Sequence, residues 1–74
     1  MTLGDAEVNK SYMIISVSGT DKTARRLMDM GFTHGCSVFV AAKAPFGGGM
    51  LVSLRGFSVA LRSDAASLIT VRGV

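Results

Sequence analysis

Apolar and polar residues alternate in five separate runs of the chain. In the first run, Tyr12 to Ser18, the positions Met13, Ile15 and Val17 alternate with Ile14, Ser16 and Ser18. This period of two is that of a strand with one buried face. The other four runs, which predict four more strands, are Ser37 to Lys43, Met50 to Arg55, Phe57 to Arg62 and Leu68 to Arg72.

Between the first two runs the period becomes that of a helix. Apolar residues now recur three and four positions apart, at Ala24, Leu27 and Met28. Asp21 precedes them as a candidate N-cap, and Gly31 stands where a left-handed residue would end the helix. Phe32 follows and can pack back on the helix. The pattern therefore predicts one short helix from Lys22.

The connections between the later runs are short. Gly56 separates two runs and predicts a tight hairpin, and Ser63 to Ala66 leaves room for one helical turn. Five antiparallel strands in so short a chain tend to curl and close, because closure hides their edges. We therefore predict a mainly β fold, a small SH3-like barrel with one inserted short α-helix, as a single domain over residues 1–74.

Composition agrees with a packed domain. The chain has 49% hydrophobic and 18% charged residues, with a net charge of +3. Its basic residues are dispersed, so no polybasic patch is predicted. Cys36 is the only cysteine, which excludes an intramolecular disulfide and favours a reducing compartment. Neither a signal peptide nor a membrane-spanning stretch is recognisable, so we expect a cytoplasmic protein without direct membrane insertion.

His34 and Cys36 are the candidate metal ligands. A structural zinc site usually takes four such ligands, so this pair would need a carboxylate or a second subunit to complete it. The favoured interpretation is a turn histidine and a half-buried thiol, with no resident cofactor. Weak binding of Fe(II) or another divalent metal stays open. Neither residue has the supporting groups of a catalytic nucleophile, so we predict no enzyme activity.

The aromatic residues do not predict a nucleic-acid site. Phe39 and Phe57 fall in strands, where core packing is the expected role, and the arginines are scattered. Without tryptophan and with one tyrosine, the chain also lacks the aromatic groove of peptide-binding SH3 domains. The glycine-rich segment around Phe46 lacks a phosphate-loop ending, and we expect Phe46 to lie over the barrel end or to face a partner.

Several blocks of the sequence resemble one known family. The segment from Arg25 to Cys36 is similar to the FeoA signature, a helix with a basic pair that leaves through two glycine turns. Lys43 to Gly49 and Leu54 to Arg62 resemble that family's loop, its Arg-Gly hairpin and its Ala-Leu-Arg strand end. Ala65–Ala66 and Ile69–Val71 also fit. His34 departs from the pattern, since many members have proline there.

This resemblance implies an SH3-like barrel with an inserted helix. It also implies a cytoplasmic accessory protein of bacterial ferrous iron uptake, acting at the inner face of the membrane with FeoB, a permease that has a GTP-binding domain. The same module resembles the C-terminal domain of iron-dependent repressors, so an interaction module in metal regulation is the alternative. Assembly of identical copies stays open.

The expected contact with a partner lies on the helix and on the loop from Pro45 to Met50. Its apolar anchors would be Leu27, Met28, Met30 and Phe46, with Arg26 and Arg55 as the charged rim. Methionine supplies soft, adaptable surface where it is exposed. Leu27 and Met28 could equally be core residues, and the sequence leaves that choice open.

Overall fold

A computed structural model describes residues 1–74 as one five-stranded antiparallel sheet with short helices at its ends. The strands are β1 (Ser11–Val17), β2 (Ser37–Lys43), β3 (Met50–Leu54), β4 (Phe57–Leu61) and β5 (Ile69–Gly73). The helices are α1 (Lys22–Asp29) and the single turn α2 (Ser63–Ala66), with 3-10 turns at Leu3–Asp5 and Pro45–Gly47. The order across the sheet is β4-β3-β2-β1-β5.

The predicted elements are all present. The bounds of β2 are those predicted, and the other strands begin or end one residue away from the predicted positions. The mainly β, SH3-like class is therefore confirmed. The expectation of closure is wrong, because no ladder of hydrogen bonds joins β4 to β5 and the sheet stays open.

The core lies between the curled sheet and the helices. Its largest fully buried side chain is Phe32, which follows α1. The backbone N–H of Phe32 donates to the carbonyl of Leu27 at 3.1 Å, and that of Gly31 donates to Met28 at 3.1 Å. These two bonds form the predicted Schellman ending, which directs Phe32 back under the helix. Alternate residues of β2 and β3 complete the core: Val38, Val40, Val52 and Leu54.

The alternation in β1 breaks at a bulge. Ile14 pairs with Val71 and Ser16 pairs with Thr70, so Ile15 is the extra residue on its strand. Before the bulge Tyr12 and Ile14 are buried, whereas after it Val17 is the residue that packs against the core. A bulge moves the following side chains to the opposite face. The core-facing residues of β1 therefore have even numbers before the bulge and odd numbers after it, whereas the sequence pattern predicts one unbroken alternation.

Phe39 and Phe57 are not core residues, contrary to the sequence-based expectation. Their side chains are 39% and 44% exposed. Phe39 pairs with Ser53, and Ser53 with Ser58, so these residues share the outer face of the sheet. Phe57 follows directly after the β3–β4 turn, at the end of an edge strand. Phe57 pairs with the buried Leu54, so its exposure comes from its place at the end of the edge strand and not from its face. Strand propensity identified both elements, but it carries no information on the face or the position of a residue within the sheet.

The two edges of the sheet differ in whether another segment of the chain pairs with them. The N–H of Val71 on β5 donates to the carbonyl of Met1 at 2.9 Å, and Thr2 forms a bridge with Thr70. The opposite edge, along β4, pairs with β3 and with no other strand. One edge is therefore covered by the N-terminal residues and the other is open.

Candidate interaction surface

A groove of about 330 Å³ lies between α1 and the open edge of β4. Leu27 of α1, Leu61 of β4 and Ala65 of α2 are nearly fully buried and form its floor. Arg26 and Met30 line it from the helix side. The groove exists because α1 lies beside β4 without sharing hydrogen bonds with it.

Helix α1 presents its polar face to this groove through local signals in the sequence. The Asp21 carboxylate accepts a hydrogen bond from the backbone N–H of Ala24 at 3.0 Å, which fixes the first turn. With the helix in this register, Ala24 and Leu27 face the core. Arg26 and Met30, four residues apart, share a neighbouring face and point into the groove.

Two guanidinium groups border the groove, from Arg26 on α1 and from Arg62 before α2. The ion pair in this structure is Lys10 with Glu7, so neither arginine is neutralised by a carboxylate. Asp64 also lines the groove, and its carboxylate accepts a hydrogen bond from the N–H of Ala65 at 2.9 Å. The groove therefore has an apolar floor and a net positive border.

The loop between β2 and β3 presents Phe46 to solvent. Its side chain is fully exposed, so the interpretation that it covers the barrel end is wrong. Phe46 has a φ of 58°, a left-handed conformation that is uncommon for a residue with a side chain. At Gly49, which follows, a Cβ would lie 2.5 Å from the carbonyl oxygen of Leu61. Gly49 thus allows the loop to approach the start of α2, beside the groove.

A second polar cluster surrounds Cys36. The Arg55 guanidinium donates to its Sγ from 3.3 Å, and the Thr33 hydroxyl lies 3.4 Å from the same sulfur. Hydrogen bonds from Thr33 and then from Arg55 lower the pKa of the Cys36 thiol below its ordinary value. Arg55 reaches the sulfur across Gly31, where a Cβ would lie 2.9 Å from the Arg55 Cδ. No local pattern in the sequence predicts this arginine–thiol contact, because Arg55 and Cys36 meet only in the tertiary fold.

His34 does not join Cys36 in a metal site. Its Nδ1 is 2.9 Å from the carbonyl oxygen of Ile15, so this histidine fixes the turn to β1. The guanidinium against the Cys36 sulfur is a positive charge where a cation would sit. No three His, Cys, Asp or Glu side chains converge anywhere in the chain. His34 and Cys36 therefore have separate partners in this structure, and weak metal binding by either residue stays a prediction.

The six residues named from the sequence fall in different places. Arg26 and Met30 line the groove, while Met28 lies on another side of α1 with its side chain 42% exposed. Arg55 is at the β3–β4 turn, and Phe46 is beyond the opposite end of β3. Leu27 is a core residue, buried beneath the helix, so it is not an exposed anchor. The sequence missed Arg62, whose place beside the groove depends on the tertiary fold.

Comparison with known proteins identifies the family. A family model described as the FeoA domain matches residues 1–73. The chain belongs to the FeoA family. Among proteins of curated function, none matches this FeoA chain in sequence.

Solved structures of FeoA proteins share its fold closely. FeoA of Stenotrophomonas maltophilia, crystallised with zinc and described as a prokaryotic SH3 domain protein, is 36% identical with a TM-score of 0.85. The match covers 96% of this chain and 88% of that one. A FeoA-like protein of Clostridium acetobutylicum is 31% identical with a TM-score of 0.90, over 100% and 86% of the two chains.

The same fold occurs in a regulator. A manganese-dependent transcriptional repressor matches 100% of this chain with 41% of its own, at 23% identity and a TM-score of 0.89. At that identity the likeness concerns the fold alone. In the FeoA chain itself, none of the helices has the length and apolar character needed to span a bilayer.

Proposed function

We propose that this FeoA-family chain is a cytoplasmic accessory protein of ferrous iron uptake. It binds a FeoB-like permease with a GTP-binding domain at the inner face of the membrane and modulates it through protein contacts. Family membership supports the transport role. The partner, its location and the contact residues are the parts that we propose.

The observation that carries this proposal is the exposure of Phe46. A fully exposed phenylalanine in a left-handed conformation leaves its apolar surface in water, and the strain is stored in the backbone. Aromatic side chains that fill a partner's pocket dominate the energy of many interfaces. We propose that Phe46 enters such a pocket, with Met28 and Met30 as adaptable neighbours and with Arg26 and Arg55 as the charged border.

The chain acts here as a binding protein and not as an enzyme. The candidate nucleophile Cys36 is held by Arg55 and Thr33, and His34 is bonded to the backbone of β1. These contacts give the residues structural roles at two turns. The proposed effect on the permease is therefore exerted by occupying its surface.

The test is a binding measurement between the purified chain and the cytoplasmic GTP-binding domain of a FeoB permease. Wild type is compared with Phe46→Ala, and Phe39→Ala serves as the matched control because it removes an exposed aromatic ring from the sheet face. We expect Phe46→Ala to weaken binding by about 2 kcal/mol, or roughly thirtyfold. Phe39→Ala should bind as wild type does.

Two results would contradict the proposal. If wild type shows no saturable binding to the permease domain, the partner is wrong. If both alanine variants bind as well as wild type, the partner stands and the role of Phe46 is wrong. Capture of a DNA-binding regulator by the wild-type chain would instead favour the regulatory module that the shared repressor fold suggests.

A further inference from the structure

The open edge of β4 carries peptide groups that the fold does not use. Leu54 pairs with Phe57 across the two-residue turn Arg55–Gly56, in which both residues have positive φ. In such a hairpin the closing pair exchanges both of its hydrogen bonds, and every second pair after it does the same. Ser58 and Ala60 therefore direct their N–H and C=O groups away from β3.

This edge lacks three of the features that usually protect an edge strand. Residues Phe57–Leu61 include no proline, no charged residue and no bulge. Native sheets commonly use those features, or a covering segment, to prevent pairing with another chain. At the other edge the chain itself supplies a covering segment, Met1–Thr2. The β4 edge can therefore accept an added strand.

The groove gives the added strand a place and a chemical preference. Its floor of Leu27 and Leu61 is apolar, while Arg26 and Arg62 border it without carboxylate partners. A peptide with apolar and acidic residues would pack against Met30 and Ala60, the more exposed apolar residues of the groove, and would pair with the two arginines. Charge-assisted hydrogen bonds from guanidinium to carboxylate are roughly twice as strong as neutral ones.

We propose that an extended, acidic segment of a partner protein adds to β4 as a sixth strand and lies in the groove beneath α1. Its backbone exchanges hydrogen bonds with Ser58 and Ala60, and its carboxylates pair with Arg26 and Arg62. This mode of recognition draws its affinity from main-chain bonds and its specificity from the side chains. The proposal deepens the proposed function, since the segment would belong to the permease.

A second copy of the chain fits the edge less well. It would bring its own net charge of +3, and a border with Arg26 and Arg62 against the single carboxylate of Asp64, to a border of the same net positive charge. Like charges brought together at an interface disfavour the wrong partner. Charge complementarity therefore selects an acidic peptide over self-association through β4.

The first test uses a synthetic peptide, acetylated and amidated at its ends, with the sequence Glu-Val-Glu-Val-Glu-Val. Its counterpart with lysine in place of glutamate is the control. We expect saturable binding of the glutamate peptide, with shifts of the Ser58 and Ala60 amide signals in NMR spectra. The lysine peptide should bind at least tenfold more weakly at low ionic strength. Equal binding of both peptides, or no binding of the glutamate peptide, would overturn the proposal.

The second test removes the edge donor. Ala60→Pro deletes an N–H that β3 does not use, so the fold should persist while strand addition is blocked. Ala60→Ser is the matched control, because it keeps the N–H. We expect Ala60→Pro to bind the glutamate peptide at least tenfold more weakly than wild type does. Ala60→Ser should bind it with the affinity of wild type. Equal binding by a folded Ala60→Pro would overturn the proposal.

Arg26→Glu decides the matter if the proline variant unfolds. Arg26 is exposed on α1, so its reversal leaves the core intact. We expect this variant to reverse the preference, so that the lysine peptide binds more tightly than the glutamate peptide. An unchanged preference would overturn the role of the groove.

The same variants separate this inference from the proposed function. If the permease domain binds Ala60→Pro as tightly as it binds wild type, the strand-addition inference fails and the accessory function stands. If the permease domain does not bind wild type but the glutamate peptide does, the accessory function fails and the edge remains a peptide site.

Discussion

The two edges of the sheet differ in what covers them. Along β5, the N–H of Val71 donates to Met1 and Thr2 bridges Thr70, so the start of the chain acts as a short additional strand. Along β4, the outward peptide groups of Ser58 and Ala60 pair with no other strand, and Ala60 also lines the groove bordered by arginine. The backbone groups at the β5 edge are thus paired in part with the N-terminal residues, whereas those at the β4 edge have no partner strand.

The open edge, and not the covered one, is available for binding a partner. A covered edge contributes to stability, because its donors and acceptors are satisfied within the chain. An open edge contributes little to stability, since water satisfies the same groups. A chain of 74 residues has a thin stability margin, so an edge left open is a cost that a binding role would explain.

Proline at the two edges gives the largest expected contrast. Val71→Pro removes a donor that Met1 accepts, whereas Ala60→Pro removes one that the fold does not use. Val71→Ala controls for the lost side-chain volume. We expect Val71→Pro to lower the free energy of unfolding by about 2 kcal/mol or more beyond Val71→Ala, because the lost donor leaves the Met1 carbonyl unpaired and the ring constrains the strand. Ala60→Pro should stay within about 1 kcal/mol of wild type. Urea unfolding measures both, and equal losses at the two edges would contradict the contrast.

Gly31→Ala tests what holds the open-edge hairpin against the helix. Gly31 has a φ of 110°, and an added Cβ would lie 2.9 Å from the Arg55 Cδ. We expect a loss of roughly 1–2 kcal/mol in thermal or urea unfolding. Gly35→Ala is the matched control, since its φ is 88° and nothing lies within 4 Å. Equal losses would show that backbone strain, and not the Arg55 contact, accounts for the cost.

Asp5→Ala loosens the covered edge without touching the sheet. The Asp5 carboxylate accepts hydrogen bonds from the Thr2 backbone N–H at 3.3 Å and from its hydroxyl at 3.2 Å. We expect a loss of about 0.5–1 kcal/mol, together with faster hydrogen exchange at Val71. Asp5→Asn, which keeps an acceptor oxygen, should lose less. Unchanged exchange at Val71 would show that Met1–Thr2 is held by other contacts.

The smallest expected effect concerns the thiol at the hairpin turn. Because Thr33 and Arg55 lower the Cys36 pKa, the rate of its reaction with iodoacetamide should rise with pH about a midpoint below the ordinary pKa of a cysteine thiol. Thr33→Val, which is nearly isosteric, should move that midpoint upward. A depressed thiol pKa adds stability above the unfolded-state value, and this stability is lost as pH falls through the folded-state value. If Thr33→Val leaves the midpoint unchanged, the Thr33 hydrogen bond is not a cause of the lowered Cys36 pKa.

Local signals in the sequence were enough to predict most of the fold. Asp21, Gly31 and Phe32 set the bounds of α1, and alternation located the five strands. Face assignment was less accurate, because the bulge at Ile15 reverses the alternation within β1. A bulge depends on pairing with a distant strand, and one strand's own pattern does not show it.

The candidate site was only partly predictable, for a similar reason. Arg26 and Met30 could be placed on an exposed helix face from their spacing, but the groove also needs Ala60 and Arg62, which arrive through the sheet order. Leu27 is the opposite case, a residue that the sequence suggested as a contact and that the fold buries. Its spacing fits either a core or a surface stripe, and in the fold it is buried in the same core cluster as Leu61 and Ala65.

The most direct test of this account is a titration of the cytoplasmic domain of a FeoB permease into the isotope-labelled chain, followed by amide NMR signals. We predict saturable binding, with the largest changes at Ser58 and Ala60 and at the loop that carries Phe46. Saturable binding that leaves the β4 edge unchanged would contradict strand addition. The absence of saturable binding would contradict the proposed partnership itself.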